Sequence, residues 1–119
     1  MKLNWITLRV SDLEKSLSFY HQLLQLEVSA AFGDEHHQIV MLGEAGGTKI
    51  ELIYEPNTNI EHPGHGVSIG LEADHLDRLI GVLQDQGHQV TGPLSPNPHI
   101  RFFFVPDPDG YMVQLVEQA

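Results

Sequence analysis

Apolar and polar residues alternate from Leu3 to Val10. Ile6, Leu8 and Val10 share one side and Trp5, Thr7 and Arg9 the other, as in a strand with one buried face. Ser11-Asp12 then offers an N-cap, with Glu14 placed where the helix dipole favours an acid. Leu13, Leu17, Tyr20, Leu23 and Leu24 recur at helical spacing, predicting a helix from about Leu13 to about Leu26. Short strands follow at Val28–Phe32, closed by Gly33-Asp34, then at His37–Leu42 and Thr48–Tyr54, with a turn at Glu44–Gly47. Glu55 to Gly66 has no periodicity and reads as a linker.

Alternation resumes at Val67–Ala73, and Asp74 is placed to cap a helix carrying Leu76, Leu79, Ile80 and Leu83 and ending at Gly87. Val90 begins a strand that the prolines from Pro93 to Pro98 are expected to break. The chain closes with two apolar runs, Arg101–Val105 and Tyr111–Val116, around Pro106-Asp107-Pro108-Asp109-Gly110, the composition of a β-hairpin.

The two halves thus follow the same order, β-α-β-β-β, and a fixed shift superposes them. Val10-Ser11-Asp12-Leu13 falls on Ala73-Asp74-His75-Leu76 and Ile50-Glu51-Leu52 on Val113-Gln114-Leu115, each a shift of 63 (10 to 73, 50 to 113). Self-similarity at a fixed interval marks two copies of one supersecondary unit. The expected fold is α+β: one domain over 1–119, built of βαβββ modules at about 1–55 and 66–119 joined by the 55–66 linker, its sheet curled around a cleft. The strand faces away from the helices would line that cleft with Trp5, Thr7, Arg9, Lys49, Glu51, Ser68, Gly70, Glu72, Met112 and Gln114. Gln114 is the unusual member, a polar side chain between Met112 and Val116 on the same strand face.

Composition narrows the function classes. Six basic against sixteen acidic residues give a formal charge of -10, which repels phosphate backbones and argues against nucleic-acid binding. With no cysteine, disulfides, thiolate catalysis and cysteine-ligated zinc are excluded. No apolar run is long enough to span a membrane and no export signal is visible, so a cytoplasmic protein is expected. The eight histidines fall mainly in predicted loops and on helix surfaces; only His65, three residues before Ser68, and His99 are placed to approach the cleft.

Leu8-Arg9-Val10-Ser11-Asp12-Leu13-Glu14-Lys15-Ser16 followed by Phe19-Tyr20, then Ile50-Glu51-Leu52, then Pro106-Asp107-Pro108-Asp109-Gly110-Tyr111 resemble the motifs of the vicinal oxygen chelate superfamily. That family groups glyoxalase I (lactoylglutathione lyase), extradiol dioxygenases, and bleomycin- and fosfomycin-resistance proteins. The resemblance covers nearly the whole chain and implies paired βαβββ modules, commonly assembled as a homodimer. In metal-dependent members, four side chains from the central strands hold a divalent cation, and the resemblance places those positions at Trp5, Glu51, Ser68 and Gln114. Glu51 keeps a usual ligand type. Gln114 offers a neutral carbonyl, Ser68 a neutral hydroxyl and Trp5 an indole N–H that donates but cannot coordinate. No metal or other cofactor is expected for a binding protein; in the lyase alternative below, a divalent metal or Gln114 would steady the developing oxyanion.

Two function classes follow. The first is a protein that binds or sequesters a small, partly apolar ligand, through Trp5, Thr7, Arg9, Glu51, Ser68, Phe102, Phe104, Met112 and Gln114. The second is a glyoxalase I-like lyase in which Glu51 is the catalytic base. Phe102 and Phe104 share one strand face and Phe103 the other; strand register, which decides the face toward the ligand, is not written in the sequence. Arg9 and Glu72 are expected to form an ion pair across the repeat.

Overall fold

In the computed structural model, which describes residues 1–118, strand β1 (Trp5–Val10) leads into helix α1 (Leu13–Leu17) and a π-helical turn (Ser18–Leu23). Strands β2 (Val28–Asp34), β3 (His37–Leu42) and β4 (Lys49–Tyr54) complete the first half. The second half repeats the order with β5 (Ser68–Glu72), α2 (Leu76–Asp85), β6 (Thr91–Asn97), β7 (Ile100–Pro106) and β8 (Met112–Gln118). Every element starts 63 residues after its counterpart: 5 and 68, 13 and 76, 28 and 91, 37 and 100, 49 and 112.

Each half forms its own four-stranded mixed sheet, ordered β1-β4-β3-β2 in the first and β5-β8-β7-β6 in the second. The first strand of each sheet is parallel to the last, and the remaining pairs are antiparallel. Register repeats as well: Thr7 pairs with Glu51 and Gly70 with Gln114, while Met41 pairs with Glu51 and Phe104 with Gln114. The chain divides into two compact units, the first ending at Glu61 and the second beginning at His62.

The strand faces that carry Leu8, Val10, Val40, Leu42, Ile50 and Leu52 are buried in the first half; α1 packs on β4. Asp12 caps α1, accepting a hydrogen bond from the Lys15 N–H at 3.1 Å. The expected continuous helix gives way after Leu17 to a wider turn, closed by Leu24 N–H to Phe19 C=O at 3.0 Å. Phe19 and Tyr20, adjacent in sequence, are both fully buried and meet edge to face with ring centroids 5.0 Å apart. A π-turn, with more residues per turn, gives two successive aromatics room on the inner side.

In the second half the core consists of Ile69, Leu76, Ile80, Leu83, Phe103, Val105, Val113 and Leu115, with α2 against β8. Helix α2 starts differently from expectation: its cap is His75, in the left-handed region at φ 52°, and neither Asp74 nor His75 caps with its side chain. Arg101 ties this helix to the sheet, with Nη1 3.0 Å from Asp77 and Nη2 3.1 Å from Glu117. The Asp77 hydrogen bond holds the guanidinium above its ordinary pKa.

β6 runs through Pro93 and Pro96, where the sequence predicted a break. It is an edge strand, exposed along its whole length, and its register with β7 is irregular. At an edge, a proline without an N–H forfeits no ladder hydrogen bond when that position faces solvent. The closing hairpin turn is organised by Asp107, which is 6% exposed. Its carboxylate accepts from the N–H groups of Asp109 and Tyr111, both at 2.9 Å.

Candidate functional site

Residues paired across a sheet point to the same side, so register defines the open face of each half. In the first half Thr7, Glu51, Met41 and Ala30 form one row, and Arg9, Ile53, Ile39 and Phe32 the next. Trp5 pairs with Lys49 on the same face. Trp5 is 51% exposed and Phe32 55%. Two large aromatic side chains are thus left uncovered on a sheet whose other face holds the core.

The Thr7 hydroxyl donates to Glu51 Oε1 at 2.6 Å. This anchors one carboxylate oxygen and leaves the second as the acceptor available to a ligand. Arg9 forms an ion pair with Glu55, with 2.9 Å between Nη1 and Oε1. His37 Nδ1 lies 3.8 Å from the same oxygen. Glu55, which the sequence places at the start of the linker, is thus an ion-pair partner of Arg9 within its own half. Lys49 Nζ donates to the Gly47 carbonyl at 2.7 Å.

In the second half, Ser68 and Met112 pair in one row, Gly70, Gln114 and Phe104 in the next, and Glu72, Val116 and Phe102 beyond. Register thus answers what the sequence left open: Phe102 and Phe104 lie on the Gln114 face, while Phe103 is buried on the other side. The two exposed-face rings meet edge to face, centroids 5.5 Å apart. Leu94 of β6, paired with Phe102, is 44% exposed.

Each sequence-predicted site residue therefore sits on an open face. Trp5, Thr7, Arg9 and Glu51 share that of the first sheet; Ser68, Phe102, Phe104, Met112 and Gln114 share that of the second. Missing from the sequence reading were Phe32, Ile39 and Ile53. Ile53 lies two residues beyond Glu51, so strand periodicity alone would have found it. Among the described residues, no group of three or more His, Cys, Asp or Glu side chains could hold a metal ion. None of the described helices is long and apolar enough to cross a membrane.

Residues 2–115 match the family model of the Glyoxalase/Bleomycin resistance protein/Dioxygenase superfamily. Among curated relatives, the probable lactoylglutathione lyase of Vibrio cholerae is 31% identical over 120 residues, covering 92% of this chain and 86% of the relative. The lactoylglutathione lyase of Salmonella typhimurium is 30% identical over 128 residues, covering 98% and 93%. Two solved structures share the fold. The trypanothione-dependent glyoxalase I of Leishmania major has a TM-score of 0.82 at 24% identity, covering 98% of this chain and 86% of that one. The antibiotic-binding protein TnmS3 of Streptomyces sp. CB03234 has a TM-score of 0.73 at 24% identity, covering 100% and 97%. With the duplicated βαβββ order and the family match over nearly its whole length, the chain belongs to the Glyoxalase/Bleomycin resistance protein/Dioxygenase superfamily.

Proposed function

We propose that this chain is a small-molecule-binding domain that takes a partly apolar ligand directly on its open sheet faces, without a divalent cation. The observation that carries the reading is the state of Trp5 and Glu51. Trp5, at a family metal-ligand position, is half-exposed on the open face, and its indole nitrogen has no lone pair to give a metal. Glu51 has one oxygen engaged by the Thr7 hydroxyl at 2.6 Å. The other two family positions, Ser68 and Gln114, supply neutral oxygens. Transition-metal sites use several imidazole, thiolate or carboxylate donors; the first half offers one carboxylate and an indole, the second a hydroxyl and an amide, and neither set fits them.

What the set does suit is an organic ligand. Trp5 offers a broad apolar surface for a flat group. Burial on Trp5 in the first half, or on Phe102, Phe104 and Met112 in the second, supplies affinity at about 25 cal/mol per Å² of apolar surface covered. Glu51 on the first face, and Ser68 and Gln114 on the second, supply acceptors and donors that orient a ligand on their own face. Arg9 forms an exposed ion pair with Glu55 on the same face. A homodimer in the cytoplasm is the expected working form.

The fold itself serves a glyoxalase I and an antibiotic-binding protein and does not choose between them. A second reading, a lyase of the glyoxalase I type, is favoured by the names of the curated relatives. In it Glu51, held by Thr7, moves a proton beside a substrate carbonyl.

One experiment separates the two. Trp5 is the sole tryptophan, so its emission reports ligands on the first open face. Binding predicts saturable quenching or blue shift with a flat, partly apolar compound in metal-free buffer. It further predicts a loss of affinity of about tenfold or more by calorimetry in Trp5→Ala. Turnover of lactoylglutathione that requires an added divalent metal and is lost in Glu51→Gln would establish the lyase and overturn the binding reading.

A further inference from the structure

Gly70 stands in the middle of β5, where glycine is a poor strand residue because it gives up the most conformational freedom and packs nothing. The backbone does not demand it: Gly70 is absent from the left-handed residues of the chain. The packing does not demand it either. A Cβ built on Gly70 would find, within 4 Å, only Gln114 Oε1, at an ordinary 3.8 Å. At the equivalent position of the first half stands Thr7, 63 residues earlier, a β-branched residue whose hydroxyl covers the Glu51 carboxylate. In the second half the glycine offers no side chain, so the Gln114 amide faces a bare stretch of backbone.

We propose that Gly70, Gln114 and Phe104, which form one row across β5, β8 and β7, are a subsite for a flat, neutral ring carrying a hydrogen-bond donor and acceptor side by side, such as a lactam. This rests on the reading of the chain as a small-molecule binder and names the ligand class. The bare backbone of Gly70 lets a planar group approach more closely than any side chain would permit. Phe104 gives the ring an aromatic neighbour. The Gln114 amide presents an N–H donor and a carbonyl acceptor in one plane, the complement of a lactam edge. Glu72 lies in the next row of the same face, and with a chain charge of -10 it disfavours an anionic ligand.

The test uses 2-quinolinone, a flat neutral lactam, and its saturated decahydro counterpart, titrated into wild type, Gly70→Ala and Gly70→Val, with backbone amide shifts as the readout. The structure leaves room for the alanine Cβ, and valine suits a strand, so neither variant should melt below wild type. Wild type is expected to bind the flat lactam at least about tenfold more tightly than the saturated one. Shifts should centre on Gly70, Phe104 and Gln114, and affinity should fall stepwise by about tenfold or more in Gly70→Val. Equal binding by Gly70→Val, equal binding of the two lactams, or no binding of either at millimolar concentration would overturn the subsite. If other flat compounds still change Trp5 emission when the Gly70 variants are unaffected, the subsite fails and the small-molecule reading stands. If 2-quinolinone binds at Gly70 while Trp5 responds to nothing, the first-face part of that reading fails and the subsite stands.

Discussion

The two halves of this chain agree on one side of their sheets and differ on the other. Leu52 and Leu115 are 63 positions apart, and both are essentially fully buried, at 0% and 1%. Gly47 N–H to Glu44 C=O at 3.1 Å has its counterpart in Gly110 N–H to Asp107 C=O at 3.0 Å, again 63 positions on. On the open faces the same shift turns Trp5 into Ser68, Thr7 into Gly70, Arg9 into Glu72 and Glu51 into Gln114. The buried side is constrained because close-packed interiors penalise any change of volume. The open side carries no such demand, so each half can hold a different set of functional groups on the same scaffold. One half offers an anchored carboxylate beside an indole, the other an amide beside bare backbone and two phenylalanines.

The largest effects should come from the shared side. Leu52→Ala and Leu115→Ala should each cost about 2–5 kcal/mol, the range for truncating a buried leucine, and they should match one another within about 1 kcal/mol if the two cores are equivalent. Urea unfolding measures both. A leucine that could be removed at little cost would break the equivalence.

The turns give the next contrast. Asp107→Ala removes the acceptor for two backbone N–H groups and should destabilise by about 1–3 kcal/mol. Its counterpart Glu44, at 107 minus 63, is exposed, and Glu44→Ala should change stability by no more than about 0.5 kcal/mol. Thermal melts of the two variants, compared directly, check this. Smaller still is Arg9→Ala, which breaks an ion pair between side chains 58% and 42% exposed and should cost at most about 1 kcal/mol, less at high salt.

How far the sequence could be read follows the same division. Alternation, apolar runs and helical spacing located seven of the eight strands among the described residues and the start of both helices, because burial imposes a period that the residue types record. The shift of 63 located the repeat and, with it, the correspondence in sequence of Glu51 with Gln114. Three features were not legible. Register between β7 and β8 decides whether Phe102 or Phe103 joins the Gln114 face, and register is a long-range property. β6 passes through two prolines because it lies at an edge, which a local propensity cannot foresee. The π-turn after Leu17 follows from burying Phe19 and Tyr20 together, a tertiary demand that overrides helical periodicity. Within the candidate site, strand alternation predicted the face of Thr7, and the structure supplied its bond to Glu51.

The central question is whether these faces work without a cation. The most direct measurement is the metal content of protein dialysed against nickel, zinc or manganese, for wild type and Glu51→Gln. The account predicts well under one equivalent in both, with no difference between them. Retention near one equivalent in wild type, lost in Glu51→Gln, would contradict it.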